Sequence, residues 1–95
     1  MKENKIVKKI RLHLEREYGA THHKYHGSAY GERGHADIYG TLPTGRAYYI
    51  EVKQPETIGG VKPEQLAFLE RERKNGALAG VAASIEDVDK ILDTV

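Results

Sequence analysis

The sequence predicts an α/β domain in which a mixed β-sheet is flanked by helices, in the element order α-β-β-β-α-β-α. Two amphipathic helical segments enclose a β-hairpin signal, and a short apolar segment and a closing helical segment follow. This alternation of strands and helices is typical of α/β folds. A chain of 95 residues supports one hydrophobic core, so we expect a single domain over residues 1–95.

The first helix is predicted from about Lys2 to Tyr18, with Gly19 as its C-terminal stop. Its apolar residues recur at three- and four-residue steps and form one stripe, which comprises Ile6, Val7, Ile10, Leu14 and Tyr18. Basic residues cover much of the remaining surface, namely Lys2, Lys5, Lys8, Lys9, Arg11 and Arg16. This basic arc is either a solvated face or a surface that meets nucleic acid.

The segment from Thr21 to Arg33 predicts a short strand around His22 to Tyr30 and then a flexible loop, residues 31–34. Its histidines, with one beyond it, are His22, His23, His26 and His35. They lack the paired spacing of zinc motifs, so we do not predict a zinc site. The tyrosines Tyr25, Tyr30, Tyr39, Tyr48 and Tyr49 suit packing on a sheet, and stacking on an unpaired base is the alternative for one or two of them.

The hairpin that follows carries the most informative residues. Pro43 and Gly45 suit the turn of a three-residue loop, which makes Leu42 and Arg46 a facing pair. Facing residues then have numbers that sum to 88, so Asp37 is predicted to lie opposite Glu51. Facing residues have Cβ atoms ~5 Å apart, and two like charges at that range repel.

Strand alternation predicts that Glu51 and Lys53 share the face of Asp37, while Ile50 and Val52 point into the core on the other face. The cluster is therefore expected opposite the apolar packing. Two converging carboxylates can share a hard divalent cation, share a proton or recruit a base. An ordinary polar strand face, with the lysine bridging two acids, is the alternative.

Two further polar residues are candidates for the same site. Glu3 lies on the inward arc of the first helix, either as an acid favoured by the helix dipole or as a third acid at the hairpin site. Gln65 lies one turn before Phe68 and Leu69 on the second helix. It is either a helix-end amide satisfied by nearby backbone or a side chain that addresses the site from the helix start.

The second half of the chain predicts a mobile loop, a helix, a strand and a closing helix. The loop covers residues 54–62, and the helix runs from Pro63 to Lys74 and stops at residues 75–76. Residues 77–84 are short and strand-like. The last helix spans residues 85–94, with Ser84 as its N-cap.

Composition narrows the class of protein. The chain has no cysteine, so disulfides and thiolate metal sites are excluded, and no apolar run reaches the roughly 20 residues that span a bilayer. Since the lysine-rich N-terminus lacks a following apolar segment of signal-peptide type, we expect a cytoplasmic protein. The net charge of +1 does not by itself indicate a nucleic-acid binder.

Asp37, followed by Glu51-Val52-Lys53, resembles the Asp…Glu-x-Lys signature of the PD-(D/E)XK nuclease superfamily. The wider pattern is similar to the VRR-NUC (virus-type replication-repair nuclease) family across nearly the whole chain. It comprises Glu3, residues 31–38, residues 50–53 and residues 63–69. Ala36 stands where the superfamily often has proline, and His35 replaces an apolar residue. These departures change no ligand and bear on substrate preference.

The resemblance implies a PD-(D/E)XK nuclease-like fold and a Mg²⁺- or Mn²⁺-dependent DNA endonuclease. Asp37, Glu51 and the Val52 carbonyl would hold the metal, and Glu3 would complete the coordination through water. Lys53 would orient the attacking water or stabilise the developing phosphorane charge, and Gln65 would help to fix the site. The expected DNA contacts are Lys5, Lys8, Lys9, Arg11, Arg33 and His35.

The resemblance also favours branched or structured DNA as substrate, such as four-way junctions or flaps in replication and repair. One small site with a modest charge does not cut two strands in one encounter, so we expect a homodimer with both sites on a common basic surface. Tyrosine and apolar residues of the His22–Tyr30 strand are the predicted interface. A non-cleaving nucleic-acid-binding module with a nuclease-like fold is the main alternative, and a purely structural subunit is a third.

Overall fold

The computed structural model describes residues 2–27, 31 and 33–93. Its elements in chain order are α1 (Glu3–Tyr18), β1 (Thr21–Lys24), β2 (Ile38–Thr41), β3 (Ala47–Val52), α2 (Pro63–Lys74), β4 (Leu78–Ala82) and α3 (Ile85–Leu92). A 3₁₀ helix, Pro55–Gly60, lies between β3 and α2. This order confirms the predicted α/β architecture.

The four strands form one mixed sheet in the order β1-β2-β3-β4. The first three strands are antiparallel neighbours, and β3 and β4 run parallel. The β2–β3 register runs from Ile38 opposite Ile50 to Thr41 opposite Ala47, so facing residues sum to 88 as predicted. Leu42 N–H donates to the carbonyl of Arg46 at 2.9 Å and closes the loop.

The larger core lies between one face of the sheet and the helices α1 and α3. The predicted stripe of α1 packs here through Ile6, Val7, Ile10 and Leu14, against Ile38, Tyr48, Ile50, Val52, Leu78 and Ala82 of the sheet and Val88 and Leu92 of α3. Tyr48 is fully buried, and its hydroxyl donates to the carbonyl of Thr21 at 2.8 Å. The prediction that Ile50 and Val52 point into the core is confirmed.

A second, smaller apolar cluster covers the opposite face. Phe68 and Leu69 of α2 pack there against Ala36 and Ala79, with Tyr49 and Val81 at the margin. The acids therefore lie opposite the larger core, as expected, but they share their face with this second cluster, which was not predicted. The reason is that α2 returns across β3 and β4 and buries its own stripe on the face that carries Glu51.

Some element ends differ from prediction. β1 ends at Lys24 because β2, its partner, is only four residues long, and His26 and Gly27 beyond it are exposed. Tyr30, the predicted strand end, and Glu32 of the following loop lie outside the described residues. The predicted loop 54–62 contains a 3₁₀ helix, and the closing helix ends at Leu92, two residues before Thr94, which is not described.

The capping of the last helix confirms its predicted start. The Ser84 hydroxyl accepts a hydrogen bond from the Asp87 N–H at 3.2 Å, and the Asp87 carboxylate accepts from the Ala83 N–H at 2.9 Å. In the middle of α3, Asp89 is contacted at 2.7 Å by both His13 and Tyr18 of α1. These bonds fix α1 against α3. None of the helices described here combines the length and apolarity that crossing a membrane requires.

Candidate active site

Asp37 and Glu51 come together at the end of the β2–β3 hairpin. The observed register, continued by one residue beyond Ile38 and Ile50, places the two acids opposite each other. Asp37 Oδ2 accepts a hydrogen bond from the Val52 N–H at 2.8 Å, and this bond fixes the aspartate against β3. The juxtaposition predicted from the hairpin loop is thus confirmed.

Glu51 is a buried acid with an incomplete set of partners. The residue is 2% exposed. Its Oε2 accepts a hydrogen bond from Gln65 Nε2 at 2.5 Å and lies 3.7 Å from Lys53 Nζ. Its Oε1 is buried and meets no hydrogen-bond donor among the described residues. A buried polar atom without a partner is costly, so this oxygen favours a proton or a cation.

Burial is the main reason that the pKa of Glu51 is raised from its ordinary value of 4.5 to about 8, and the negative charge of Asp37 is the second. Lys53 opposes this increase, and the charge of Glu3 adds to it. Without a cation at neutral pH, a proton therefore stays on the acid pair. The Asp37–Glu51 repulsion predicted from the sequence accounts for part of this effect.

The raised pKa predicts a pH-dependent stability for the metal-free chain. Between pH 4.5 and about 8, folded Glu51 keeps a proton that the unfolded chain has released, so the free energy of unfolding falls as pH rises through this window. The slope is at most about 1.4 kcal/mol per pH unit. Urea denaturation in a chelator at several pH values measures it. An unchanged slope in Glu51→Gln would contradict the assignment to this residue.

Gln65 links the start of α2 to the acid pair. Its Oε1 accepts a hydrogen bond from the Lys62 N–H at 3.0 Å, while its Nε2 donates to Glu51. The Gln65 side chain therefore has both predicted roles. Its amide oxygen binds the backbone at the start of α2, and its amide nitrogen binds Glu51 in the site. The predicted inward orientation is confirmed, and a role in turnover stays a prediction.

Gly34 sets the distance between the loop before β2 and the first turn of α2. Its φ is +75°, and a Cβ added there would lie 2.3 Å from the Glu64 carbonyl oxygen and 2.9 Å from the Gln65 nitrogen. Only glycine allows this approach. The sequence predicts only a flexible loop at Gly34, because a glycine in a glycine-rich stretch indicates a turn but does not show what the turn packs against.

Gly34→Ala is expected to destabilise the fold by about 1–3 kcal/mol and to lower cleavage, because α2 must move and carry Gln65 with it. The control is Gly45→Ala, since Gly45 also has a positive φ, +89°, but nothing lies within 4 Å of its added Cβ. Urea denaturation and cleavage rates measure the two effects. Equal losses of cleavage in both variants would refute a specific role for Gly34.

Glu3 is exposed, so the prediction that it faces inward is wrong. It begins α1 one turn before Ile6 and Val7, the first buried residues of the helix, and so lies beyond the edge of the core. Its charge nevertheless reaches Glu51 and contributes to the raised pKa there. Its predicted coordination through water stays a prediction.

The predicted DNA contacts differ in exposure. Lys5, Lys8, Lys9 and Arg33 are exposed. Arg11 is half-buried, and its Nε donates to His22 Nδ1 at 2.9 Å. His35 is half-buried between rings, 3.9 Å from the centroid of Tyr25 and 4.6 Å from that of Phe68. The side chains of Arg11 and His35 therefore already make contacts within the fold.

The donor set at the acid pair fits a hard divalent cation. Asp37 and Glu51 supply carboxylate oxygens, one of which is buried and has no hydrogen-bond partner among the described residues, and such ions prefer oxygen ligands. Within residues 2–27, 31 and 33–93, no three side chains of His, Cys, Asp or Glu form a group that could hold a metal ion. A cation held here would need backbone oxygen or water to complete its coordination.

The chain was compared with known proteins. No protein-family model matches it, and no curated protein sequence matches it. A solved structure described as a "VRR_NUC domain" is similar to it, with 32% sequence identity and a TM-score of 0.75. The similarity covers 97% of this chain and 95% of that one.

Proposed function

Because the chain belongs to the VRR-NUC family of nucleases, we propose that it is a metal-dependent DNA endonuclease that hydrolyses phosphodiester bonds. The observation that carries this proposal is the pairing of half-buried Asp37 with buried Glu51, whose Oε1 has no donor among the described residues. Lys53 stands beside it, 3.7 Å from Glu51 Oε2. An acid pair of this kind is an unexplained cost in a purely structural subunit.

The proposed cofactor is Mg²⁺ or Mn²⁺, held by Asp37, Glu51 and the Val52 carbonyl, with Glu3 joining through water. When bound, the cation would neutralise the repulsion between the acids, polarise a phosphate and acidify a water molecule. Asp37 is already oriented for this role by the Val52 N–H. The bond from Gln65 to Glu51 Oε2 leaves Oε1 as the open ligand oxygen.

Lys53 is the proposed catalytic cation. Its ammonium group is a donor without acceptor capacity, so it serves the phosphate or the attacking water and does not ligate metal. Its salt bridge to Glu51 keeps the ammonium group beside the acid pair. Gln65 is a positioning residue, since it holds the Glu51 carboxylate and the start of α2 together.

The proposed substrate is branched or otherwise structured DNA in replication or repair. Exposed Lys5, Lys8, Lys9 and Arg33 would contact phosphates, and Arg11 and His35 would support them from half-buried positions. A net charge of +1 supports few phosphate contacts per chain. Binding to plain duplex is therefore expected to be weak at moderate salt.

A two-fold homodimer is proposed because one site does not cut both strands of a symmetric junction in a single encounter. The proposed interface is the main-chain edge of β1 and of the residues that follow it, within the predicted range from His22 to Tyr30, of which residues 28–30 lie outside the described part. Pairing along this edge leaves the side chains of His23 and Tyr25 on the face of the sheet that carries Asp37. Light scattering at micromolar concentration tests this assembly. A monomer mass would reject the dimer and leave the chemistry at Asp37 and Glu51 untouched.

Cleavage of a DNA panel tests the proposed function. Linear duplex, flap and four-way junction are incubated with Mg²⁺, Mn²⁺ or a chelator at moderate salt. Cleavage in the presence of either metal, strongest on the branched DNAs, is expected. Equal cutting of duplex and junction would reject the structural preference. Binding without cutting under every condition would favour a non-cleaving module instead.

A further inference from the structure

A row of aromatic and imidazole rings lies beside the acid pair on the same face of the sheet. His23 of β1 faces Tyr39 of β2, which faces Tyr49 of β3. Two residues further along, Tyr25 is opposite Asp37 and donates its N–H to the Asp37 carbonyl at 2.8 Å. Tyr25, Asp37 and Glu51 thus occupy neighbouring strands at one level of the sheet.

The rings form two supported stacks. Tyr25 lies on His35 with centroids 3.9 Å apart and planes 14° apart, and His23 lies on Tyr39 at 5.3 Å and 29°. The first stack is anchored, because His35 Nδ1 donates to the Ala36 carbonyl at 2.7 Å and its ring contacts Phe68 of α2. One face of the Tyr25 ring is therefore held by a fixed neighbour.

His23, Tyr25 and Tyr39 each keep part of their surface exposed among the described residues. The helix α2 packs its apolar residues on β3 and β4, whereas His23 is exposed and Tyr25 and Tyr39 are half-buried. Among the residues that the structure describes, His35 provides the ring that packs on Tyr25. Core packing explains fully buried Tyr48, but it does not require an exposed imidazole stacked on a tyrosine.

We propose that Tyr25 and His23 form a stacking surface for unpaired nucleobases of DNA next to the acid pair. Tyr25 lies one strand from Asp37 and two strands from Glu51, ~5 and ~10 Å between backbones. A nucleotide whose phosphate is at the acid pair therefore brings its own or a neighbouring base within reach of the Tyr25 ring. Bases inside an intact duplex are already stacked and do not reach it.

This inference rests on the proposed function, because the ligand must be DNA. It adds to that function the kind of DNA that the site would select. Base–aromatic stacking tolerates any sequence, because every base has a π-face. The surface would therefore select DNA with unpaired bases at the cut, such as the branch point of a junction or the base of a flap. Sequence preference is expected to be weak.

Equilibrium binding tests the stacking surface. Fluorescence anisotropy compares a duplex that contains a short single-stranded gap with the intact duplex, in EDTA so that no strand is cut. Tyr25→Leu, which keeps an apolar side chain but no ring, is expected to weaken binding to gapped DNA about tenfold and to leave duplex binding unchanged. Tyr25→Phe, the matched control, should retain the wild-type affinity.

His23→Ala is the second variant. Because His23 is exposed, this substitution should not unfold the chain. It should weaken gapped-DNA binding in the same direction as Tyr25→Leu. Unchanged gapped-DNA affinity in both variants, or an equal loss on gapped and intact duplex, would overturn the proposal. Thermal denaturation of each variant confirms that the folded chain is being compared.

Cleavage by wild type on the same two DNAs, with Mg²⁺ or Mn²⁺, separates this inference from the proposed function. Ring-dependent binding without any cutting would support the stacking surface and reject the nuclease activity. Cutting with no dependence of gapped-DNA binding on either ring would overturn the stacking surface and support the nuclease activity.

Discussion

Replacing Glu51 by glutamine is expected to abolish metal-dependent DNA cleavage while leaving the metal-free fold intact or more stable. The loss in rate should be about a thousandfold or more, because the proposed metal loses a carboxylate that glutamine replaces only as a neutral ligand. The gain in stability follows from burial, since Glu51 is 2% exposed and faces the like charge of Asp37. The gain should be largest above pH 8, where the wild-type carboxyl group is ionised.

Cleavage rates on a four-way junction and urea denaturation in a chelator measure the two halves of this prediction. Glu86→Gln is the matched control, because Glu86 is an exposed acid in the first turn of α3. It should leave cleavage unchanged and lower stability by less than about 1 kcal/mol, the contribution of an exposed acid to the helix dipole. Full activity of Glu51→Gln would remove this residue from the active site, and a destabilised metal-free variant would contradict the repulsion between the two acids.

Lys53→Ala should lose turnover yet retain metal binding. A protonated lysine does not ligate a cation, so the proposed metal ligands remain in place. Removing one positioned cation that faces developing charge should slow cleavage by about 100- to 1000-fold. Calorimetric titration with Mn²⁺ and cleavage rates measured under single-turnover conditions distinguish binding from chemistry.

Two further variants serve as comparisons for Lys53→Ala. Lys74→Ala removes an exposed lysine at the end of α2 and should leave cleavage unchanged. Asp37→Ala should lose metal affinity as well as turnover. If Lys53→Ala lost metal affinity as completely as Asp37→Ala, the separate roles of the lysine and the aspartate would be wrong.

Local signals predicted the hairpin site well. Pro43 and Gly45 determine the length of the loop, and loop length determines register, so the sequence alone placed Asp37 opposite Glu51. The helical position of Gln65 relative to Phe68 likewise placed its amide on the face that meets Glu51. In both cases the regular repeat of the strand or helix determines the direction in which the side chain at a given position points.

Features that depend on contacts distant in sequence were not predicted. Gly34 packs on Glu64, thirty positions later, and no local pattern indicates that approach. The stack of Tyr25 on His35 also depends on how the chain returns to the sheet. Glu3 shares the angular position of buried residues, but helical periodicity does not show where the core ends along the helix axis.

Mn²⁺ binding tests most directly whether the acid pair is a metal site. Calorimetry at pH 8 would compare wild type with Asp37→Asn, which retains the shape of the aspartate. If the acid pair is a metal site, wild type should show a saturable heat of binding and a rise in melting temperature with Mn²⁺, and the variant should lose both. Equal Mn²⁺ affinity in wild type and Asp37→Asn would contradict a metal site at the acid pair.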